Sequence, residues 1–157
     1  TARQHVGRVG YVSLFPLFLR LVPPESEQLG RLLGVLRDPA QLWTDHGLRS
    51  LSLADLFYAV ENAPGDAPYW RGPIWLNANY LALSGLHHYA TTPGPHAERA
   101  RAVYDELRSN VVRTVQGEYE RTGFLFEQYN DESGAGQRTR PFNGWTTLVV
   151  LIMAELY

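Results

Sequence analysis

At 157 residues, 45% of them hydrophobic and 19% charged, the chain is long enough to bury one real core and too short to require a second domain. A formal net charge of -2 with scattered arginines offers no basic stripe for nucleic acid, and the lack of cysteine excludes disulfides and thiolate metal sites. The apolar runs are broken by Arg20 or end with the chain, so no segment is expected to span a membrane, and Thr1 to His5 show neither an initiator Met nor a signal-peptide pattern, as in a piece of a longer protein.

In chain order, residues 11–22 come first, with Val12, Leu14, Phe15, Leu17, Phe18, Leu19 and Leu21 apolar nearly all round. That pattern predicts a helix buried on both sides, stopped by Pro23-Pro24. Leu29, Leu32, Leu33 and Leu36 then repeat at i, i+3, i+4, i+7, a helix covered on one side only. A long connector spans roughly 38 to 73, beyond the usual length of structureless connections. Residues 74–90 carry Ile74, Trp75, Leu76, Tyr80, Leu81, Leu83 and Leu86 and predict a second two-sided helix with Pro73 in its first turn. After the turn Thr92-Pro93-Gly94-Pro95, the stripe Val103, Leu107, Val111, Val115, Tyr119 marks the longest helix, its wet face holding Arg101, Glu106, Arg108 and Arg113. A second long connector, roughly 122 to 142, leads into residues 143–157, a third two-sided helix with Trp145, Leu148, Val149, Val150, Leu151, Ile152 and Met153. No period-two run competes for a strand, although Val9 to Leu14 and Val111 to Val115 contain β-branched residues.

The order buried, striped, buried, striped, buried is what a two-layer toroid of inner and outer helices requires and a simple four-helix bundle does not. The expected fold is therefore all-α, a whole or partial α/α toroid. Both long connectors run from an outer to an inner helix, so up-and-down helices bring them to one end of the molecule. Long loops gathered on one end of a rigid scaffold are where binding and catalysis concentrate.

Within the second connector, Phe124-Leu125-Phe126-Glu127-Gln128-Tyr129-Asn130-Asp131 sets a carboxylate and amides among aromatic rings. Aromatic faces cover the apolar side of a pyranose, amides and carboxylates bond its hydroxyls, and a carboxylate among rings can serve as a general base. Glu127 is the candidate, with a structural ion pair to Arg71 or Arg140 as the alternative. Tyr69-Trp70-Arg71-Gly72-Pro73-Ile74-Trp75, with Asn79 four residues on, throws Arg71 to the loop end beside two tryptophans. There it either bonds sugar hydroxyls and orients a carboxylate, or belongs to an aromatic plug with a structural ion pair. Asp131 and Glu132, next to Ser133-Gly134-Ala135-Gly136, read as solvated turn residues. His5, His46, His87, His88 and His96 show no ligand spacing, so no metal site is expected.

Several blocks together resemble one family. Gly10-Tyr11-Val12-Ser13-Leu14-Phe15-Pro16, Leu36-Arg37-Asp38-Pro39, Gly47-Leu48-Arg49-Ser50-Leu51, Tyr69 to Trp75 with Asn79-Tyr80-Leu81, Gly123 to Tyr129, and Arg140-Pro141-Phe142-Asn143-Gly144-Trp145 look like the C-terminal part of the processing α-glucosidase I family, the mannosyl-oligosaccharide glucosidases of glycoside hydrolase family sixty-three. The resemblance implies that residues 1–157 are the C-terminal portion of an (α/α)6 catalytic domain, since five helices cannot close such a ring. It implies an inverting enzyme of the endoplasmic reticulum lumen that removes the terminal α-1,2-linked glucose from the triglucosylated N-glycan precursor. No cofactor is implied, and the parent protein would be membrane-anchored. Glu127 would be the general base, and the general acid an aspartate upstream, since Asp45, Asp55, Asp66 and Asp131 match no acid motif. Tyr69, Trp70, Arg71, Trp75, Asn79, Tyr129 and Trp145 would form the substrate-binding wall. Rival readings are another inverting α-glycosidase on the same toroid, trehalase-like or bacterial α-glucosidase-like, and a non-catalytic helical scaffold that binds a protein partner.

Overall fold

The computed structural model describes residues 6–157, so the reading of His5 lies outside the described residues. The architecture is helical. A 3₁₀ turn at Tyr11–Leu14 leads into α1 (Phe15–Phe18), followed by α2 (Glu27–Arg37), a small hairpin of β1 (Trp43–Thr44) and β2 (Gly47–Leu48), α3 (Leu76–Thr91) and α4 (Ala97–Thr122). A second hairpin of β3 (Gln128–Tyr129) and β4 (Gly136–Gln137) precedes a 3₁₀ turn at Trp145–Leu148 and α5 (Val149–Met153). Among the described residues no helix is long and apolar enough to cross a membrane.

The helices follow the expected order with shorter ends. The first stops at Phe18 rather than at 22, because the chain reverses at Arg20, whose φ is 58°, and its guanidinium donates to Ser84 Oγ at 2.8 Å. Ser26 caps α2 by accepting from the Leu29 N–H at 3.4 Å, and Leu29, Leu33 and Leu36 are fully buried. Pro73 does not enter the first turn of α3, which begins at Leu76 with Trp75 as its cap. The last helix ends at Met153, just before Glu155 with φ 54°.

Packing explains two further departures. On α4 the row at i+4 steps overshoots a 3.6-residue turn by about 40° each time, so by the end of the helix Tyr119 has rotated into solvent and is 52% exposed. Glu118 takes the buried place instead, pairs with Arg121 at 2.6 Å and accepts the Gly136 N–H at 2.9 Å, which ties β4 to α4. The two-sided helices at either end are covered by this chain on one side only: Val12, Phe15 and Leu19 at one and Val150 and Met153 at the other are exposed.

Helices α1 and α3 meet at Gly85. A Cβ built there would lie 2.6 Å from the Leu17 carbonyl oxygen, so Gly85→Ala forces the two helices apart. We expect that substitution to cost about 1–3 kcal/mol, read as a lower Tm; an unchanged melt would refute the tight crossing.

The long connectors meet at one end, and short extended pairings that hydrophobic periodicity did not announce knit them together. Ile74 is extended, bridging Arg49 on one side and Tyr129 on the other. Its N–H donates to the Tyr129 carbonyl at 2.8 Å and its carbonyl accepts from Tyr129 N–H at 3.0 Å. Asn79, fully buried at the start of α3, accepts from the Leu48 N–H at 2.8 Å and donates to the Leu48 carbonyl at 3.2 Å, standing in for a strand neighbour. The Tyr11 hydroxyl joins this centre, donating to the Leu48 carbonyl at 2.6 Å and accepting from Trp75 N–H at 3.1 Å. Burial pushes its pKa well above the ordinary tyrosine value, so it stays a neutral donor.

Candidate active site

Where the two loops touch, an open pocket of about 770 Å³ is lined by Asn62, Asp66, Tyr69, Trp70, Arg71, Glu127, Arg138 and Thr139. Its aromatic wall is built from within. Trp75, fully buried, donates its indole N–H to the Tyr69 carbonyl at 3.0 Å and stacks on Trp70 at 3.8 Å with planes 9° apart. Tyr69 meets Trp75 edge-on at 4.5 Å, while Trp70 stays 47% exposed and lines the pocket. Such flat, partly exposed rings suit the C–H face of a sugar.

Glu127 sits on the strand side of the pocket and is 9% exposed. Its main chain is held twice: its N–H donates to the Thr139 carbonyl at 3.1 Å, and its carbonyl accepts the Trp145 indole N–H at 2.8 Å. The carboxylate is held as well, with Oε1 accepting from the Tyr69 hydroxyl and Oε2 facing the Thr139 N–H at 3.5 Å. Burial alone would raise the Glu127 pKa, but the hydrogen bonds from Tyr69 and from the Thr139 side chain and backbone, together with the Arg138 charge, outweigh it and leave the carboxyl below its ordinary value. The Tyr69 hydroxyl is pushed up, first by that same hydrogen bond and then by burial. The pair therefore rests as ionised glutamate and neutral tyrosine, an acceptor with an aligned donor.

Of the candidates named from sequence, Glu127, Tyr69, Trp70 and Arg71 line the pocket. Trp75, Asn79, Tyr129 and Trp145 do not line it and support it instead. Asn79 and Tyr129 are fully buried, Asn79 holding Leu48 and Tyr129 pairing with Ile74. Arg71 is tied through donation to the carbonyls of Val60 and Glu61, the latter at 2.7 Å, and makes no ion pair with Glu127. Arg140 lies over the Phe124 and Phe126 rings. Asp131 is no solvated turn residue: it is buried, 3.0 Å from Arg49 Nε, and accepts the Tyr58 hydroxyl at 2.7 Å.

Arg138, Thr139 and Asn62 join the site without having been singled out, and Asp66, which matches no acid motif, lines it as well. A signal for two of them exists in the turn chemistry. Asn130 Oδ1 accepts from Glu132 N–H at 3.0 Å and Ser133 N–H at 2.8 Å, and Gly134 has φ 72°, a turn that sets Gln128 opposite Gln137 and so brings Thr139 beside Glu127. Among the described residues no cluster of three or more metal-binding side chains occurs.

These features define a class, a helix-rich scaffold whose long loops gather a carboxylate, arginines and stacked tryptophans around a sugar-sized pocket. The chain belongs to glycosyl hydrolase family 63, whose C-terminal domain matches residues 1–155. It is 49% identical over 155 residues to a probable mannosyl-oligosaccharide glucosidase of Schizosaccharomyces pombe, covering 98% of this chain and 18% of that protein. It is 47% identical over 152 residues to mannosyl-oligosaccharide glucosidase GCS1 of Arabidopsis thaliana, covering 97% of this chain and 18% of the relative. The fold resembles a crystal structure of GH63 mannosylglycerate hydrolase from Thermus thermophilus in complex with glucose, with a TM-score of 0.66 and 21% identity over 95% of this chain and 32% of that one. The chain thus spans under a fifth of the length of these two curated relatives.

Proposed function

We propose that this chain supplies the general base and part of the sugar-binding wall of an inverting exo-α-glucosidase that trims the terminal α-1,2-linked glucose from the triglucosylated N-glycan precursor. The observation that carries the reading is the Glu127 carboxylate, kept ionised by Tyr69, Thr139 and Arg138 at the edge of an aromatic pocket. The names of the two curated relatives support the substrate.

In this reading Glu127 takes a proton from a water on the face of the terminal glucose opposite the bond to the leaving sugar, the second glucose of the glycan. A carboxylic acid from the preceding part of an (α/α)6 catalytic domain protonates the glycosidic oxygen. An inverting pair stands roughly 6.5–9.5 Å apart to admit that water. Three of this chain's own aspartates are otherwise engaged, Asp55 with Arg8, Asp66 with Arg138, and Asp131 with Arg49, while Asp45 is exposed. In this reading the chemistry needs no cofactor, and the full-length protein acts in the lumen of the endoplasmic reticulum, a location that the names of the two curated relatives support only through their N-glycan substrate.

The test follows the released sugar by proton NMR during turnover of a triglucosylated glycan by the full-length protein. β-Glucose appearing first is the expected result. Initial α-glucose would overturn inversion, and release from trehalose in place of the glycan would overturn the substrate.

A further inference from the structure

Arg138 is one of four non-glycine residues with positive φ among the described residues, at 65°. Side chains avoid that region, and such a conformation persists where the surroundings hold it. Its guanidinium reaches from the second loop to the first at three places: Nη2 is 3.2 Å from Asp66 Oδ1 and also donates to the Ala67 carbonyl, and Cζ lies 4.8 Å from the centre of the Tyr69 ring. An exposed ion pair alone contributes little; here two contacts from one guanidinium nitrogen and the flat cation over the Tyr69 ring act together. Tyr69 holds Oε1 of Glu127, and the residue after Arg138, Thr139, faces Oε2.

We propose that Arg138 is a positioning residue that clamps the Tyr69-bearing loop onto the segment carrying Thr139 and thereby fixes both carboxylate oxygens of Glu127 in one orientation. This rests on the reading of Glu127 as the base. The charged and titratable groups that share its pocket are Asp66, Tyr69 and Arg71 from the first loop and Arg138 from the second. Of the cations, Arg138 is the one whose charge holds the Glu127 carboxyl down.

The experiment measures kcat, KM and the pH profile of kcat/KM for glycan hydrolysis by full-length wild type, Arg138→Gln, Arg138→Lys and Glu127→Gln. Arg138→Gln is expected to lose about tenfold or more in kcat with KM changed by less than about threefold. Its acidic limb should move to higher pH, because loss of the cation favours protonated Glu127. Arg138→Lys keeps the charge without the flat guanidinium over the Tyr69 ring, so kcat falls while the limb stays near wild type; this variant carries the test if Arg138→Gln fails to fold. Wild-type kcat in both Arg138 variants beside a slow Glu127→Gln overturns the clamp alone. A rate loss in Arg138→Gln with an unmoved limb and a lowered Tm assigns Arg138 to general stability and also overturns it. Near-normal turnover by Glu127→Gln removes the base, and the clamp falls with it.

Discussion

Replacing Glu127 by Gln in the full-length protein is expected to lower kcat for glucose release by about a hundred- to ten-thousandfold while glycan binding persists. That is the range of a positioned general base. Gln keeps the volume and still accepts the Tyr69 hydroxyl, but it cannot take a proton from water. The aromatic wall and Arg71, which belong to other residues, remain to hold the sugar. The sign of the pH dependence is fixed by the lowered Glu127 pKa. The base works when ionised, so activity is retained as pH falls through the ordinary glutamate range and is lost only below it, as pH passes the folded-state value. The same depression adds to folded-state stability above the unfolded pKa, a contribution that disappears as pH falls through the folded one. Turnover by Glu127→Gln within about tenfold of wild type would make the carboxylate structural.

The largest stability effect is expected at Arg49, far less conspicuous in the sequence. Its side chain and that of Asp131 are both 8% exposed and lie 3.0 Å apart. Arg49 also donates to the Pro39 carbonyl at 3.1 Å, and Tyr58 adds a hydrogen bond to the same Asp131 oxygen. This cluster joins the first long loop to the second directly beside Ile74. Arg49→Met strands a buried carboxylate, at a cost of about 3–5 kcal/mol. For a protein of this size that corresponds to a fall in Tm of about 10 °C, measured by thermal unfolding. Pairing it with Asp131→Leu should recover most of the loss, because a buried ion pair is often replaceable by apolar side chains although half of one is not. A single Arg49→Met variant melting with the wild type would contradict this account.

Much of the scaffold was legible in residue order. The Leu29 to Leu36 stripe and the Val103 to Val115 row each predicted a helix covered on one side, and both are present. The rules fail where geometry accumulates or propensity is silent. Tyr119 left the buried face because successive four-residue steps drift around the helix. The 3₁₀ turns and the pairing of Ile74 with Arg49 and Tyr129 involve so few residues that no periodicity can announce them.

For the site, the sequence by itself determined the family, the carboxylate among rings and the Tyr-Trp-Arg loop, because those features are chemical and local. It also determined that the two loops share one end, since helix alternation dictates that. The tertiary structure decided which side chains face the pocket. Asn79, Trp75 and Tyr129 went into the framework because their polar groups found buried backbone partners. Asp131 went to Arg49. Arg138 rather than Arg71 or Arg140 became the cation beside Glu127, because hairpin register and a left-handed backbone turn aim it across the loops. Identity fixes what a residue can do; which partner it meets depends on contacts between segments some 70 residues apart in the chain, as between Asp66 and Arg138, and no local pattern encodes that distance.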